Sequence, residues 1–219
     1  MNKKKLRLLV IGLVILLVSS GIATFAVLAG NKKSSAEKIR VACVGDSITE
    51  GTGYPADLSM LLGVNYTVGN FGVGGSTVSL NSQNPYMNTS AFQKATEFQP
   101  NIVIIMLGTN DAHPSLEQYN GSFVDDYVKL VAVFQALASK PKIWIVLPPP
   151  IFNNASGISP QYFALTVIPS IEQAAKETNL PVINVYSALA SYSDYFPDGV
   201  HPDSEGAQLI ANVIYEAII

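Results

Sequence analysis

The chain has 219 residues, 48% of them apolar, enough for one α/β domain plus an appendage and too apolar for intrinsic disorder. Its net charge is −3, and three of its 13 basic residues fall in the first five positions, so no basic stripe remains for nucleic acid. Cys43 is the lone cysteine and there are two histidines, which excludes an internal disulfide and speaks against a dedicated zinc site.

Met1 to Gly30 reads as an address. Lys3, Lys4, Lys5 and Arg7 precede the uncharged stretch Leu8 to Ala29, which is long enough to span a bilayer as a helix with its N-terminus in the cytoplasm. Val27-Leu28-Ala29 before Gly30 also fits a small-residue cleavage site. The segment is therefore a membrane anchor or a cleaved signal. The domain beyond it is expected outside the cytoplasm, tethered in the first case and secreted in the second. Residues 31–38 are polar and charged, a linker, and the domain proper is 39–219.

From Ile39 onward, short apolar runs alternate with longer patterned stretches. The predicted strands are Ile39–Val44, Tyr66–Asn70, Ile102–Leu107, Ile143–Leu147 and Val182–Val185, several apolar throughout, as in a parallel sheet covered on both faces. Helices are predicted over Ala56–Leu62, Ser90–Phe98, Phe123–Ala138, Gln161–Thr178 and Ser204–Ile218, with Pro169 breaking or kinking the fourth. Such alternation implies right-handed crossovers and helices on both sides of the sheet. Pro148-Pro149-Pro150 takes the chain out of the sheet as a stiff extended segment.

Four polar sets follow apolar runs, where each reaches the same sheet edge. Gly45-Asp46-Ser47 ends the first run. A serine there has its hydroxyl held by the scaffold, as a weak nucleophile requires if a base lies within reach. The same residues also read as a capping box, Ser47-Ile48-Thr49-Glu50, with Ser47 satisfying orphan N–H groups at a helix start. Asn70 to Thr77 is a glycine-rich loop, but Thr77 stands where G-x-G-x-x-G needs its third glycine and no P-loop lysine follows. Its bare N–H groups suit an oxyanion or a tight turn. In Gly108-Thr109-Asn110-Asp111, Asn110 is a turn residue or an amide donor, and Asp111 a cap or hydrogen-bond anchor rather than a catalyst. Asp198 and His201 are three apart, so one turn brings carboxylate and imidazole together, fixing the tautomer that takes a serine proton. His113 reads as a loop or rim residue. Tyr54, Tyr86, Phe92 and Phe152 are candidate pocket aromatics, although loop aromatics as often serve packing.

Taken in order, Gly45-Asp46-Ser47, Asn70-x-Gly72-x-x-Gly75-x-Thr77, Gly108-x-Asn110-Asp111 and Asp198-x-x-His201 resemble the blocks of the SGNH hydrolases, the GDSL esterase and lipase superfamily. The resemblance runs from Ile39 to the C-terminus. It implies a flavodoxin-like three-layer α/β/α sandwich with a five-stranded parallel sheet. It also implies Ser47 as nucleophile, His201 as general base and then acid, and Asp198 as its orienter. The oxyanion donors implied are the Ser47 and Gly75 N–H groups and the Asn110 side chain, with Gly74 an alternative to Gly75. With these partners, the nucleophile reading of Ser47 overtakes the capping one. The implied reaction is two-step acyl transfer with no metal or organic cofactor.

The segments 70–88, 107–114 and 147–152 look most like carbohydrate O-acetylesterases, including sialate-acetylesterase-like domains. The expectation is a short-acyl carbohydrate esterase acting on a small-molecule or glycan ester. A lysophospholipase or thioesterase of the same superfamily is the alternative, and a non-catalytic glycan-binding domain the reading from another class.

Overall fold

The computed structural model describes residues 2–4, 37–153 and 157–219. Its strands are β1 (Ile39–Gly45), β2 (Tyr66–Gly72), β3 (Ile102–Met106), β4 (Lys142–Leu147) and β5 (Val182–Asn184). They form one sheet in the order β2-β1-β3-β4-β5, every neighbouring pair parallel. That is the doubly wound order with its reversal between β1 and β3.

The main helices are α1 (Ser47–Gly51), α2 (Tyr54–Leu62), α3 (Ser90–Glu97), α4 (Asn120–Gln135), α5 (Ile168–Thr178) and α6 (Ser204–Ile218). Alternate residues of β1 divide between two cores. Ala42 and Val44 pack with Phe123, Tyr127 and Phe134 of α4 and Ile171 of α5. Val41 and Cys43 face the other way, onto Leu58 of α2 and Ile210 and Ile214 of α6. β3 is buried at every position, which explains its uninterrupted apolar run. The result is the expected flavodoxin-like three-layer sandwich, with Lys38–Ile219 as one compact unit. Cys43 is a core residue, and burial pushes its thiol up to about 12.

Several boundaries differ from expectation, three of them for a visible reason. The helix predicted from Phe123 starts at Asn120, because a 3₁₀ segment, Pro114–Tyr119, feeds into it. Val185 belongs to a helical turn rather than to β5, since Asn184 Oδ1 accepts the Ser187 N–H at 2.8 Å and caps that turn. The helix predicted over Gln161–Thr178 is interrupted just ahead of Pro169, between Pro160–Tyr162 and α5. Pro169 lies in the first turn of α5, directly after a π turn at Phe163–Val167. Proline has no N–H to offer the carbonyl four residues back, and a wide turn there relieves its ring clash.

The apolar stretch Leu8–Ala29, read as an anchor or signal, lies outside the described residues, as does most of the linker. Among the described residues no helix is long and apolar enough to cross a membrane.

Candidate active site

The carboxyl ends of β1 and β3, at the reversal of strand order, carry Ser47 and Asn110. α1 begins directly at the end of β1, and its N-cap is Asp46, one residue earlier than the capping box implied. Asp46 Oδ1 accepts the Ile48 N–H at 3.0 Å. Glu50 does not reach back to the helix start. Its Oε2 accepts the Gly74 N–H at 2.8 Å instead. Capping thus falls to Asp46, and the Ser47 hydroxyl is left to meet His201 Nε2 at 2.8 Å.

His201 comes from the turn before α6. Asp198 Oδ1 accepts the Val200 N–H at 2.9 Å and the His201 N–H at 2.7 Å, which winds Asp198–His201 tightly. Asp198 Oδ2 accepts the imidazole Nδ1–H at 2.6 Å. Between them Gly199 adopts φ +81°, and a Cβ there would fall 2.2 Å from Asn153 Nδ2, so only glycine fits. Partial burial raises the Asp198 carboxyl. The hydrogen bonds from His201 and Val200 and the nearby imidazole outweigh it, holding the group at about 2. The three side chains form one continuous hydrogen-bonded chain, Ser47–His201–Asp198.

Donors converge near the serine. Ser47 stands first in α1, where a backbone N–H has no acceptor within the helix. The Gly74 N–H is committed to Glu50, whereas Gly75, at φ +70°, lines the cavity with its N–H free of any partner among the described residues. Asn110 donates one Nδ2 hydrogen to Ser76 O at 2.9 Å, which fixes the amide and leaves its second hydrogen. Asp111 is an anchor, as expected. Its carboxylate accepts the Val78 and Ser79 N–H groups, both at 2.9 Å, and the Ser79 hydroxyl at 2.7 Å.

Asp111 and Asp46 are both buried, and burial pushes each carboxyl up to about 6 despite the hydrogen bonds they accept. For Asp46 the Ile48 N–H pulls the value back, as does the Thr109 hydroxyl. That hydroxyl stands close to the carboxyl but outside hydrogen-bond geometry, so among the described residues Asp46 Oδ2 and Thr109 Oγ1 both lack a partner.

A cavity of about 700 Å³ opens over Ser47, Gly75, Asn110 and His201. One wall is the loop from Thr77 to Asn84, closed at its base because Thr77 and Asn84 exchange backbone contact and Tyr86 N–H donates to Thr77 O. The other is the segment from His113 to Tyr119, where the His113 ring accepts the Ser115 N–H and caps the 3₁₀ turn. His113 is thus a rim residue. Of the wall residues, Asn81, Gln83 and Asn84 fall in the segment 70–88 that resembles carbohydrate esterases, whereas Gln118 and Tyr119 carry no signal in the sequence, because loop folding alone brings them to the cavity. The four candidate aromatics do not line the cavity. Tyr54 and Tyr86 are fully buried, Phe92 packs edge-on between Tyr86 and Phe134, and Phe152 packs on Phe196. Among the described residues, no group of three or more His, Cys, Asp or Glu side chains is placed to hold a metal ion.

Comparison with known proteins matches residues 43–209 to the GDSL-like Lipase/Acylhydrolase family. An acetylxylan esterase of Xylanibacter ruminicola is 33% identical over 208 residues, covering 83% of this chain and 43% of the relative. The chain spans about half the length of the curated relatives it matches. A carbohydrate acetylesterase from Sinorhizobium meliloti superposes with TM-score 0.69 at 20% identity, over 83% of this chain and 98% of that one. A structure described as a putative arylesterase from Agrobacterium tumefaciens gives 0.65 at 21% identity, over 82% and 98%. These likenesses support the same fold, and the family match spans the strand ends, the loops and the cavity described above. The chain belongs to the GDSL-like lipase/acylhydrolase family.

Proposed function

We propose that the domain is a serine esterase that removes short acyl groups, O-acetyl above all, from a carbohydrate. One observation carries the reading: Ser47 Oγ lies 2.8 Å from His201 Nε2, and His201 Nδ1 lies 2.6 Å from Asp198 Oδ2, at the floor of a cavity walled by uncharged polar side chains. With Nδ1–H held by the carboxylate, Nε2 is the acceptor and takes the serine proton as Oγ attacks the ester carbonyl. The oxyanion is met by the Ser47 and Gly75 N–H groups and the second Nδ2 hydrogen of Asn110. Gly75 is preferred to Gly74 because Glu50 already occupies the Gly74 N–H. The imidazolium then protonates the leaving alcohol, and the neutral ring activates water against the acyl-enzyme.

The lining supports a short acyl group and a polyhydroxy alcohol. Carboxamides and hydroxyls both donate and accept, as sugar hydroxyls do, and Leu116 and Ile158 are too few to form an acyl channel. The test is hydrolysis of p-nitrophenyl acetate, butyrate, octanoate and palmitate, with Ser47→Ala as control. Fast acetate turnover with a steep fall by octanoate, lost in the variant, is the expected result. A preference for long chains would move the assignment to lipids or thioesters. No Ser47-dependent turnover of any ester by folded protein would leave a binding module.

A further inference from the structure

We propose that this site selects uncharged glycan esters and discriminates against anionic ones, such as sugars carrying a carboxylate beside the ester. The inference rests on the esterase reading above and adds to it the charge of the substrate.

Two independent observations carry it. The first is the lining. Among the described residues the cavity wall holds no Asp, Glu, Lys or Arg side chain, its titratable groups being the imidazoles of His113 and His201 and the Tyr119 phenol, while Asn81, Gln83, Asn84, Asn110 and Gln118 supply five carboxamides. An amide pairs with a hydroxyl in either direction. A carboxylate only accepts, and held against such a wall without a cation it gives up its water for weaker neutral donors.

The second is the shell behind the wall, which is acidic. Glu50 holds Gly74, Asp111 holds Val78 and Ser79, and Asp126 accepts the Leu80 N–H at 3.0 Å. Asp198 holds His201, and Glu117 lies between the lining residues Leu116 and Gln118. The cation attached to this set is Lys129, and its ammonium is already paired with Asp126 at 2.9 Å. Arg40 and Lys142 lie at the opposite, amino ends of β1 and β4. A strand of that length puts them roughly 20 Å from the serine, where the nearer carboxylates behind the wall outweigh them. A negative substrate therefore meets like charge on approach and, on arrival, no cation other than what the imidazoles of His113 and His201 can carry.

The test uses three acetylated xylo-oligosaccharides of one length: one neutral, one bearing a uronic acid on the sugar beside the acetyl group, and one with that carboxylate converted to its amide. Wild-type turnover of p-nitrophenyl acetate runs alongside. The expected kcat/KM for the acid is at least about ten-fold below the neutral substrate at low salt, and the gap narrows as salt rises. The amide should recover most of the loss, because it keeps the size and removes the charge. Gln118→Lys should raise the acid-to-neutral ratio by about ten-fold, by placing a cation in the wall. Equal rates for acid and neutral substrates would overturn the inference while leaving the esterase intact. So would an amide as poor as the acid with no salt dependence, which would mean a steric limit. No turnover of p-nitrophenyl acetate or of any oligosaccharide would overturn the esterase reading, and the inference with it.

Discussion

Replacing Asp198 with Asn exchanges one carboxylate oxygen for an NH₂ group and, on the proposed mechanism, removes the base. Asp198 Oδ1 accepts two backbone N–H groups, from Val200 and His201, so the Asn carbonyl must stay there and its NH₂ must turn toward His201 Nδ1. That nitrogen now meets a donor where it met a carboxylate at 2.6 Å, so it becomes the acceptor and the ring proton moves to Nε2. Nε2–H then points at Ser47 Oγ and cannot take its proton. The wrong tautomer in a Ser-His-Asp site costs about 10⁴ in kcat. That is about 5 kcal/mol of barrier at 1.36 kcal/mol per decade. The turn keeps its backbone hydrogen bonds, so the thermal midpoint should shift little. Initial rates on p-nitrophenyl acetate at neutral pH measure the loss, and ¹⁵N shifts of the His201 ring report the tautomer, which a merely structural role would not alter. A folded Asp198→Asn protein keeping more than about a tenth of wild-type kcat would refute the reasoning, as would a ring whose proton stays on Nδ1.

Asp46 should make the protein lose stability as pH rises. Its folded value, about 6, is above the ordinary 3.8, so between those values the native state holds the extra proton and stability falls as pH goes from about 4 to about 6. At 1.36 kcal/mol per unit the change is on the order of 3 kcal/mol, and Asp111 adds to it with the same sign. Asp46→Asn keeps the cap and should flatten the slope in denaturant titrations across that range; an unchanged slope would contradict the assignment. Asp198 has the opposite sign. Its contribution is present above about 4 and is lost as pH falls toward about 2, so it should produce no acid limb in kcat/KM above about pH 3. Glu50→Ala should lower kcat about ten-fold by loosening the Gly74–Gly75 turn, with stability changed by less than about 1 kcal/mol. Lost stability with unchanged kcat would show Glu50 to be a helix cap after all.

Much of this site was readable because its side chains follow directly on strand ends. Runs such as Ile102–Met106 are apolar for a physical reason, burial on both faces, and a polar residue just past such a run has little choice but the carboxyl edge. The Asp198–His201 spacing was legible for the same kind of reason, since a turn of three residues is local. What a capping motif could not reveal was which residue caps. Asp46 and Ser47 both suit an N-cap, and the choice is made by Glu50 finding Gly74, a partner 24 residues away. The cavity walls were opaque for a stronger form of that reason. Asn84 and Gln118 carry no periodicity, and they come to line one cavity as Asp111 ties down Ser79 and His113 caps the turn before Gln118. Aromatics misled because Tyr86 and Phe92, though outside the expected strands, pack into the α4 face of the core through Phe134.

On the proposed mechanism Ser47, activated by His201, forms a covalent acyl-enzyme. Intact-mass analysis after treatment with a fluorophosphonate, which phosphonylates an activated serine oxygen and releases fluoride, tests it directly. A single adduct mapping to Ser47 is expected, absent from Ser47→Ala and strongly slowed in His201→Ala. Labelling that is absent in the folded wild-type protein, or that persists in Ser47→Ala, would contradict it.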